Sequence, residues 1–588
     1  MRRPAPRPTL PALVLLLLAL GGRLVPATAS PDAPTADEAV TGLLRLVPPD
    51  AGVTLALVDL RGHVRAVAGS SLARSFGDLP AVKAWPDSPG GRQWDLARSQ
   101  IERSLGAPLA TIRDDLLGDA VVLALHVAPG AAPESARGLM LARVRDRALL
   151  ARLIDVGNRA QVSAGSLKEV ADLGSGDRCY RARRFKPGGG AEDEYYRLFD
   201  DGTFAWSNSE ALIRGVLGRK AGEGRGLADE PAFRKVRAGL PARPMAFVHV
   251  DPGFAGRILA AAPRSGDPRD DRAAELLARQ LRAVEGIGLA LEWRDGLVLH
   301  AHAVLDPEGL DARLARWSRS KDGPDALARR IPGSALAAAA VPIDFEAAFD
   351  ALVELAPGDD GSRLEATLVV LRGILLGHDV RKEVLPRLGP ALIAYVDPPA
   401  AGSPQFALVG VLQLRDDDGA PVIAAALDSG LRTLLCLSAL DPKRQATTPR
   451  LESRQAGPIR VTSLGGPAVP FAYGLGPDCL VVGTSAAAVA RFGTAAPDTR
   501  LAPFRARHFP DARAYAAVDV VRLARAARAH REALAARSAA SRGITPEAAG
   551  REIDKAVALL DLFDGAFFAL SIDPDAAAIH QAIGLIAR

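Results

Sequence analysis

The residue types most able to support chemistry in this chain are two closely spaced histidines. His300 and His302 are two residues apart in an apolar segment that predicts a β-strand, so both imidazoles would lie on one face of that strand. Imidazole is a common ligand of zinc, which makes the pair the candidate start of a metal site. The alternative is a pair of hydrogen-bonded histidines in the core. Because no third ligand can be named, we expect neither a metal nor a cofactor.

Cysteine chemistry is limited to Cys179, Cys436 and Cys479. Three thiols allow at most one internal disulfide, and Cys436–Cys479 is the candidate pair because both residues lie in the C-terminal half. The alternative is three thiols that pack as small hydrophobic side chains.

A third cluster, Ser318-x-x-Lys321, has the shortest form of a serine-acylating motif, in which a lysine one helical turn away deprotonates the serine. The Ser-Asp-Asn and Lys-Thr-Gly elements that accompany this motif are absent, and the segment lies where we predict a linker. The glycines of 222–226 follow a helix pattern and predict a loop at the helix end, not a phosphate-binding turn. The sequence therefore assigns no catalytic residue.

Short alternating strands joined by turns predict the framework that holds these residues. Asp295-Gly296 predicts a two-residue hairpin in which His300 pairs with Leu291 and His302 with Leu289. The apolar periodicity and the capping residues predict helices over Arg147–Val156, Glu210–Leu217, Pro252–Ala262, Ala273–Ala283, Val520–Arg537 and Pro546–Leu560. The fold class is therefore α+β, with mainly antiparallel sheets covered by helices.

An internal repeat divides the chain. The segment Leu117–Leu123 resembles Leu388–Ala394, and Phe233 resembles Phe504 at the same spacing of 271 residues. We predict two tandem duplicated units, 43–310 and 327–588, joined by a linker around residues 320–324. The copies share no histidine, cysteine or carboxylate pair, so an active site would be confined to one unit or built between them.

The N-terminus has the features of a signal peptide. Arg2, Arg3 and Arg7 precede an apolar stretch over 10–20, and Ala27-Thr28-Ala29 is a small-x-small cleavage site. We expect residues 1–29 to be removed near Ala29–Ser30 and the rest to be extracytoplasmic, either periplasmic or secreted. The alternative is an uncleaved membrane anchor. After the leader we expect no transmembrane segment.

The charge of the chain excludes one class of partner. The 73 basic residues include four in the leader, which leaves 69 basic against 68 acidic side chains. Proteins that bind nucleic acid concentrate Lys and Arg against phosphate, so a nearly balanced chain predicts no nucleic-acid partner.

The leader, the doubled unit and the segment LADEPAF…AFVHVD at 227–251 resemble a family of exported bacterial proteins, a domain of unknown function with the number thirty-three fifty-two. That family has no assigned activity, so the resemblance implies the fold and the location but no site residues. We expect a non-enzymatic binding or structural protein with a ligand or protein partner that the sequence does not identify. The alternatives are a hydrolase with a noncontiguous site in one unit and a carrier of an apolar ligand.

Overall fold

A computed structural model gives the fold of most of the chain after the leader. It describes residues 35–127, 135–186, 192–261, 267–306, 308, 323–355, 358–399, 405–415, 420–439, 450–465, 471–496, 500–573 and 576–588. The chain forms two compact units. The first comprises Met1–Ala262 with Leu281–Leu305, and the second comprises Pro263–Gln280 with Asp306–Arg588. The predicted signal peptide and the Ser318–Lys321 motif lie outside the described residues.

The described part of the first unit contains ten strands. They are β1 Val53–Val58, β2 Ala120–His126, β3 Arg137–Arg143, β4 Leu167–Leu173, β5 Tyr180–Phe185, β6 Glu194–Leu198, β7 Thr203–Ser207, β8 Ala246–Val250, β9 Val284–Trp293 and β10 Gly296–Leu305. Their order within the unit is β4-β5-β6-β7-β3-β2-β1-β8-β9-β10, and every one of these pairs is antiparallel.

The described part of the second unit also contains ten strands. They are β11 Ala337–Pro342, β12 Leu388–Asp397, β13 Ala407–Leu414, β14 Arg450–Ala456, β15 Ile459–Gly465, β16 Ala472–Leu475, β17 Cys479–Gly483, β18 Ala514–Asp519, β19 Phe563–Asp573 and β20 Ala578–Ala587. They run in the order β14-β15-β16-β17-β13-β12-β11-β18-β19-β20, again with antiparallel pairs. Matched strand for strand, this is the order found in the first unit.

Helices fill the connections between strands. Up to β10 they are α1 Ala36–Leu44, α2 Leu60–Gly69, α3 Ser71–Asp78, α4 Pro80–Lys83, α5 Pro89–Leu105, α6 Leu109–Thr111, α7 Arg147–Ser163, α8 Glu210–Lys220, α9 Pro231–Ala238, α10 Pro252–Ala261 and α11 Pro268–Leu281. Beyond it they are α12 Asp325–Ala328, α13 Phe345–Leu355, α14 Gly358–Ile374, α15 Ala420–Ala439, α16 Ala486–Arg491, α17 Leu501–His508, α18 Val520–Ala529, α19 Arg531–Arg542 and α20 Pro546–Leu560. Short 3-10 segments lie at Gly176–Arg178, Leu227–Asp229 and Leu385–Arg387, and π-helical turns at Ile112–Leu116 and Val380–Val384.

The fold class is α+β with antiparallel sheets, as the sequence predicts. Helix α20 has the predicted bounds, and Thr545 caps it by accepting a hydrogen bond from the Ala548 amide. The helix predicted over Val520–Arg537 is wrong as a single element, because the backbone breaks at His530 and a second helix begins at Arg531.

Several helices cover one face of the first sheet, and the main core of the unit lies between them and the sheet. Val40 of α1, Ile213 of α8 and Phe233 of α9 pack there with strand residues that include Val122 and Phe247. The opposite face is covered at one end, where Leu149 of α7 packs with residues that include Val121 and Phe204.

The second sheet is covered in the same way. Tyr395 of β12 stacks on Phe492, and its hydroxyl donates to the Ala488 carbonyl of α16 at 3.2 Å. On the opposite face, Leu435 of α15 packs with Leu480 and other residues of the neighbouring strands. Each unit therefore has one sheet face that several helices cover and one that a single long helix covers in part.

Among the described helices, none combines the length and the apolar character needed to cross a membrane.

Candidate functional site

The two histidines of the predicted metal site lie on β10 and share one face of it, but their pairing differs from the prediction. The hairpin connection holds one residue more than a two-residue turn, since Leu297 pairs with Trp293. His300 therefore lies opposite Ala290 and His302 opposite Gly288, not opposite Leu291 and Leu289. The extra residue is accommodated by Asp295, whose φ of 53° is left-handed.

The surroundings of this pair do not form a metal centre in the described part of the chain. His300 Nε2 lies 3.1 Å from Glu292 Oε2, and this hydrogen bond lowers the pKa of the Glu292 carboxyl. His302 is buried, and Gly239 packs directly against its ring. No group of three or more His, Cys, Asp or Glu side chains that could hold a metal ion occurs among the described residues.

A third histidine, which the sequence did not single out, lies in the same region. His249 on β8 and His302 on β10 both pair with Gly288 of the intervening β9, so the two rings flank that glycine on the helix-covered face. The His249 ring packs edge-on against the Phe233 ring, with 5.1 Å between the ring centroids. Neither of its nitrogens has a hydrogen-bond partner among the described residues, and burial lowers its pKa to about 4.

The cysteines carry free thiols, so the predicted Cys436–Cys479 disulfide is not formed. Cys436 is exposed on α15, whereas Cys479 is buried at the start of β17, and Cys179 is partly buried. Burial raises the pKa of the Cys479 thiol to about 12, which keeps it protonated and unreactive.

The largest unexplained feature of the first unit is the side of its sheet opposite the main core, which we call the open face. One row of side chains crosses six strands there and consists of Met140, Leu123, Leu55, Val248, Leu289 and Ala301. The next row consists of Gly138, Leu125, Val53, Val250, Ile287 and Ala303. Neither row contains a charged or hydrogen-bonding side chain. Leu123 and Leu125 are 40% and 45% exposed, so this surface is apolar and accessible.

The second unit has an open face of the same kind. Its corresponding rows are Gly410, Ala394, Ala339, Ala516, Phe568 and Ile583, and Leu408, Val396, Ala337, Val518, Ala566 and Leu585. These twelve residues are again without charge or hydrogen-bonding groups. Ile583 is 53% exposed and Leu408 is 55% exposed. Exposed apolar surface of this extent commonly marks an interaction site.

The sequences of the strands do not predict these open faces. An antiparallel sheet with one solvated face alternates apolar and polar residues, whereas β1 and β2 read VTLALV and AVVLALH and lack that alternation. Continuous apolar runs are typical of strands that are covered on both sides. The structure instead leaves one side accessible.

A second kind of surface feature, a crevice, lies on the helix-covered side of each sheet. In the first unit a crevice of about 520 Å³ lies between α1 and α9, where Val40, Phe233 and Leu240 line it. In the second unit a crevice of about 340 Å³ lies between α12 and α17, the helices at the corresponding places. Both volumes fall in the range of small-molecule sites.

Comparisons with known proteins give no name for this arrangement. No family model and no curated protein matches the chain. Among solved structures, "Structure of crystal form IV of TP0453" is 13% identical and covers 45% of this chain and 81% of that chain, with a TM-score of 0.24. At this TM-score the likeness carries no argument about fold or function.

Proposed function

We propose that this chain is an exported, non-enzymatic binding protein whose two open faces hold the hydrocarbon chains of a lipid. The observation that carries the proposal is the pair of accessible apolar faces, one on each sheet, built from corresponding strands. The proposal joins two of the functions expected from the sequence, a binding protein and a carrier of an apolar ligand.

The shape of the open face favours a hydrocarbon chain as its occupant. Neighbouring strands lie about 4.8 Å apart, so a row across six strands is about 24 Å long. A lipid acyl chain spans about half of the ~30 Å bilayer core and fits along such a row. In the first unit, Met140 at one end of the row packs against the core formed with α7. The rest of the row, from Leu123 to Ala301, crosses five strands and offers an apolar track about 19 Å long.

The chemistry of the face counts against a protein partner. Protein interfaces carry roughly one hydrogen bond per 100–200 Å² of buried surface. The two rows described in each unit contain no side chain that could make one. Their backbone amides and carbonyls are directed along the sheet toward neighbouring strands. A hydrocarbon chain needs no hydrogen bonds and loses nothing on this surface.

The duplication is part of the same proposal. The two units, proposed as 43–310 and 327–588, have the same strand order, and their open faces and crevices occupy corresponding places. This correspondence supports an origin by repetition and the membership of the family suggested by the segment at 227–251. It also supports one lipid site in each unit.

The proposed location fits this role. Lipid that moves outside the cytoplasm must cross water, and a protein surface that shields its hydrocarbon chains lowers the free energy of that step. We propose that the leader over 1–29 directs the chain to that compartment and is removed near Ala29–Ser30.

The experiment is a titration of the chain that begins at Ser30 with a fluorescent fatty acid. Leu299, two residues before Ala301 on β10, lies on the same side of the sheet as that residue and is 43% exposed. Leu299→Asp on β10 and Ile583→Asp on β20 therefore place a charge on each open face. Burying a leucine-sized side chain is worth about 1.5–3 kcal/mol, so each substitution is expected to weaken the site in its own unit about tenfold or more. Circular dichroism checks that the variants remain folded.

The matched control is Leu96→Asp. Leu96 is an exposed leucine on α5 that belongs to neither of the rows described for the open faces, and its replacement is expected to leave both affinities unchanged. Equal binding by the wild type and both face variants would contradict the proposal, and so would the loss of binding in the control.

A further inference from the structure

The crevice of the second unit has features that the open faces lack. Its floor is the cross-strand pair Ala338–Ala517, from β11 and β18, and Ile331 and Leu501 contribute apolar walls. Because successive residues of a strand point to opposite sides, this floor lies on the other side of the sheet from Ala339 and Ala516 of the open face. The crevice is therefore a separate site.

Two arginines give this crevice a positive charge. Arg505 of α17 lies over the Tyr515 ring at 4.7 Å, and its Nη1 donates to Asp325 Oδ1 at 2.7 Å. Its Nε–H is buried and has no acceptor among the described residues. Arg329 is exposed at the rim and has no ion pair within the described part of the chain. One carboxylate faces two guanidinium groups, so the crevice is short of one negative charge.

The first unit has a different strand pair at the corresponding place. That pair is Thr54–His249, and both of its side chains are buried beneath the helices. In the second unit the floor consists of Ala338 and Ala517, which carry no hydrogen-bonding side chain. The floor of the second crevice is therefore purely apolar.

We infer that this crevice binds a small monocarboxylate with a compact apolar body. The apolar part would rest on Ala338 and Ala517. The carboxylate would face Arg329 and the guanidinium group of Arg505, an interaction that the charge on both partners strengthens. A volume of about 340 Å³ holds about eleven water molecules at ~30 Å³ each, the size of a ligand with about ten non-hydrogen atoms.

The test is calorimetric titration of the chain from Ser30 with phenylacetate, a compact carboxylate of this size. Ala517→Leu fills the floor and is expected to weaken binding at least tenfold. Arg329→Gln removes an exposed charge and is expected to weaken it by up to about fivefold, the effect of about 1 kcal/mol. The neutral phenylacetamide is expected to bind more weakly and to be insensitive to Arg329→Gln.

The matched control is Arg45→Gln, at the corresponding place in the first unit, which is expected to bind phenylacetate like the wild type. If Ala517→Leu does not fold, Arg329→Gln decides, because that side chain is exposed and its loss does not disturb the core. The inference is overturned if phenylacetate does not bind at millimolar concentration, or if Arg329→Gln binds it as the wild type does. Binding that Ile583→Asp abolishes would also overturn it, because the ligand would then occupy the open face.

Discussion

A few polar side chains lie buried in the otherwise apolar cores of this chain. His249 and Thr54 are cross-strand partners in the first unit, and the Thr54 hydroxyl also lacks a hydrogen-bond partner in the described structure. An imidazole in such surroundings is stable only when it is neutral, because burial penalises the charged form. Sequence analysis missed His249, since a lone histidine in an apolar strand carries no motif. Its environment is set by Phe233, which is 16 residues away in the chain.

His249 is therefore expected to make the protein acid-sensitive. Its pKa falls from 6.5 to about 4 on folding, so the unfolded chain binds this proton more readily. The stability that a neutral His249 contributes is fully present above pH 6.5 and is lost as the pH falls toward 4, by about 3 kcal/mol in total. Replacement by leucine removes this dependence.

Urea denaturation of the wild type and of His249→Leu at pH 7 and at pH 4 measures this pH dependence of the unfolding free energy. From pH 7 to pH 4, we expect the unfolding free energy of the leucine variant to rise by about 3 kcal/mol relative to that of the wild type. An identical difference at both pH values would mean that His249 is hydrated in solution.

An ion pair whose carboxylate is buried provides a second prediction at this scale. Asp397 is fully buried and accepts hydrogen bonds from Ser334 Oγ at 2.7 Å and from Arg491 Nε at 2.8 Å. Arg491→Gln leaves the buried carboxylate without its cation and is expected to cost about 3 kcal/mol of unfolding free energy. Arg381→Gln breaks an exposed pair with Asp350 and is expected to cost less than about 1 kcal/mol. Denaturant titrations that give equal losses would contradict this assignment.

At the scale of elements, capping and periodicity predicted the helices better than the connections. Pro546 and Thr545 fix the start of α20, and these local signals suffice. The hairpin after Trp293 was wrong by one residue, because an Asp-Gly pair fits both two-residue and longer turns.

The close contact between β19 and α17 gives a prediction at this scale. A Cβ on Gly565 would lie 2.7 Å from the Phe504 ring and 3.2 Å from the Val518 carbonyl oxygen. Gly565→Ala is therefore expected to cost about 1–3 kcal/mol of stability by overpacking. Gly373→Ala, in α14 and with open space around it, is expected to add up to about 1 kcal/mol. Thermal unfolding of both variants checks the pair, and a neutral Gly565→Ala would show that α17 is free to shift.

At the scale of the whole molecule, the α+β class was predictable from the sequence, whereas the open faces were not. The tandem duplication stays a prediction. The prediction of a repeat rests on similar sequence segments, such as those around Phe233 and Phe504. The fold class follows from the spacing of the apolar residues along the chain. An accessible apolar face depends on which side of each strand the helices cover, and that is a property of the packed unit. The expectation of a binding protein or carrier stays a prediction, and the open faces now give it a place in each unit.

The most direct test of the lipid-binding proposal is the number of lipids that each molecule carries. Native mass spectrometry of the chain from Ser30, mixed with a long-chain fatty acid, counts the bound ligands. The proposal predicts two, one for each open face, and one in either Leu299→Asp or Ile583→Asp. Loss of both ligands from a single substitution, or a folded wild type that binds none, would contradict it.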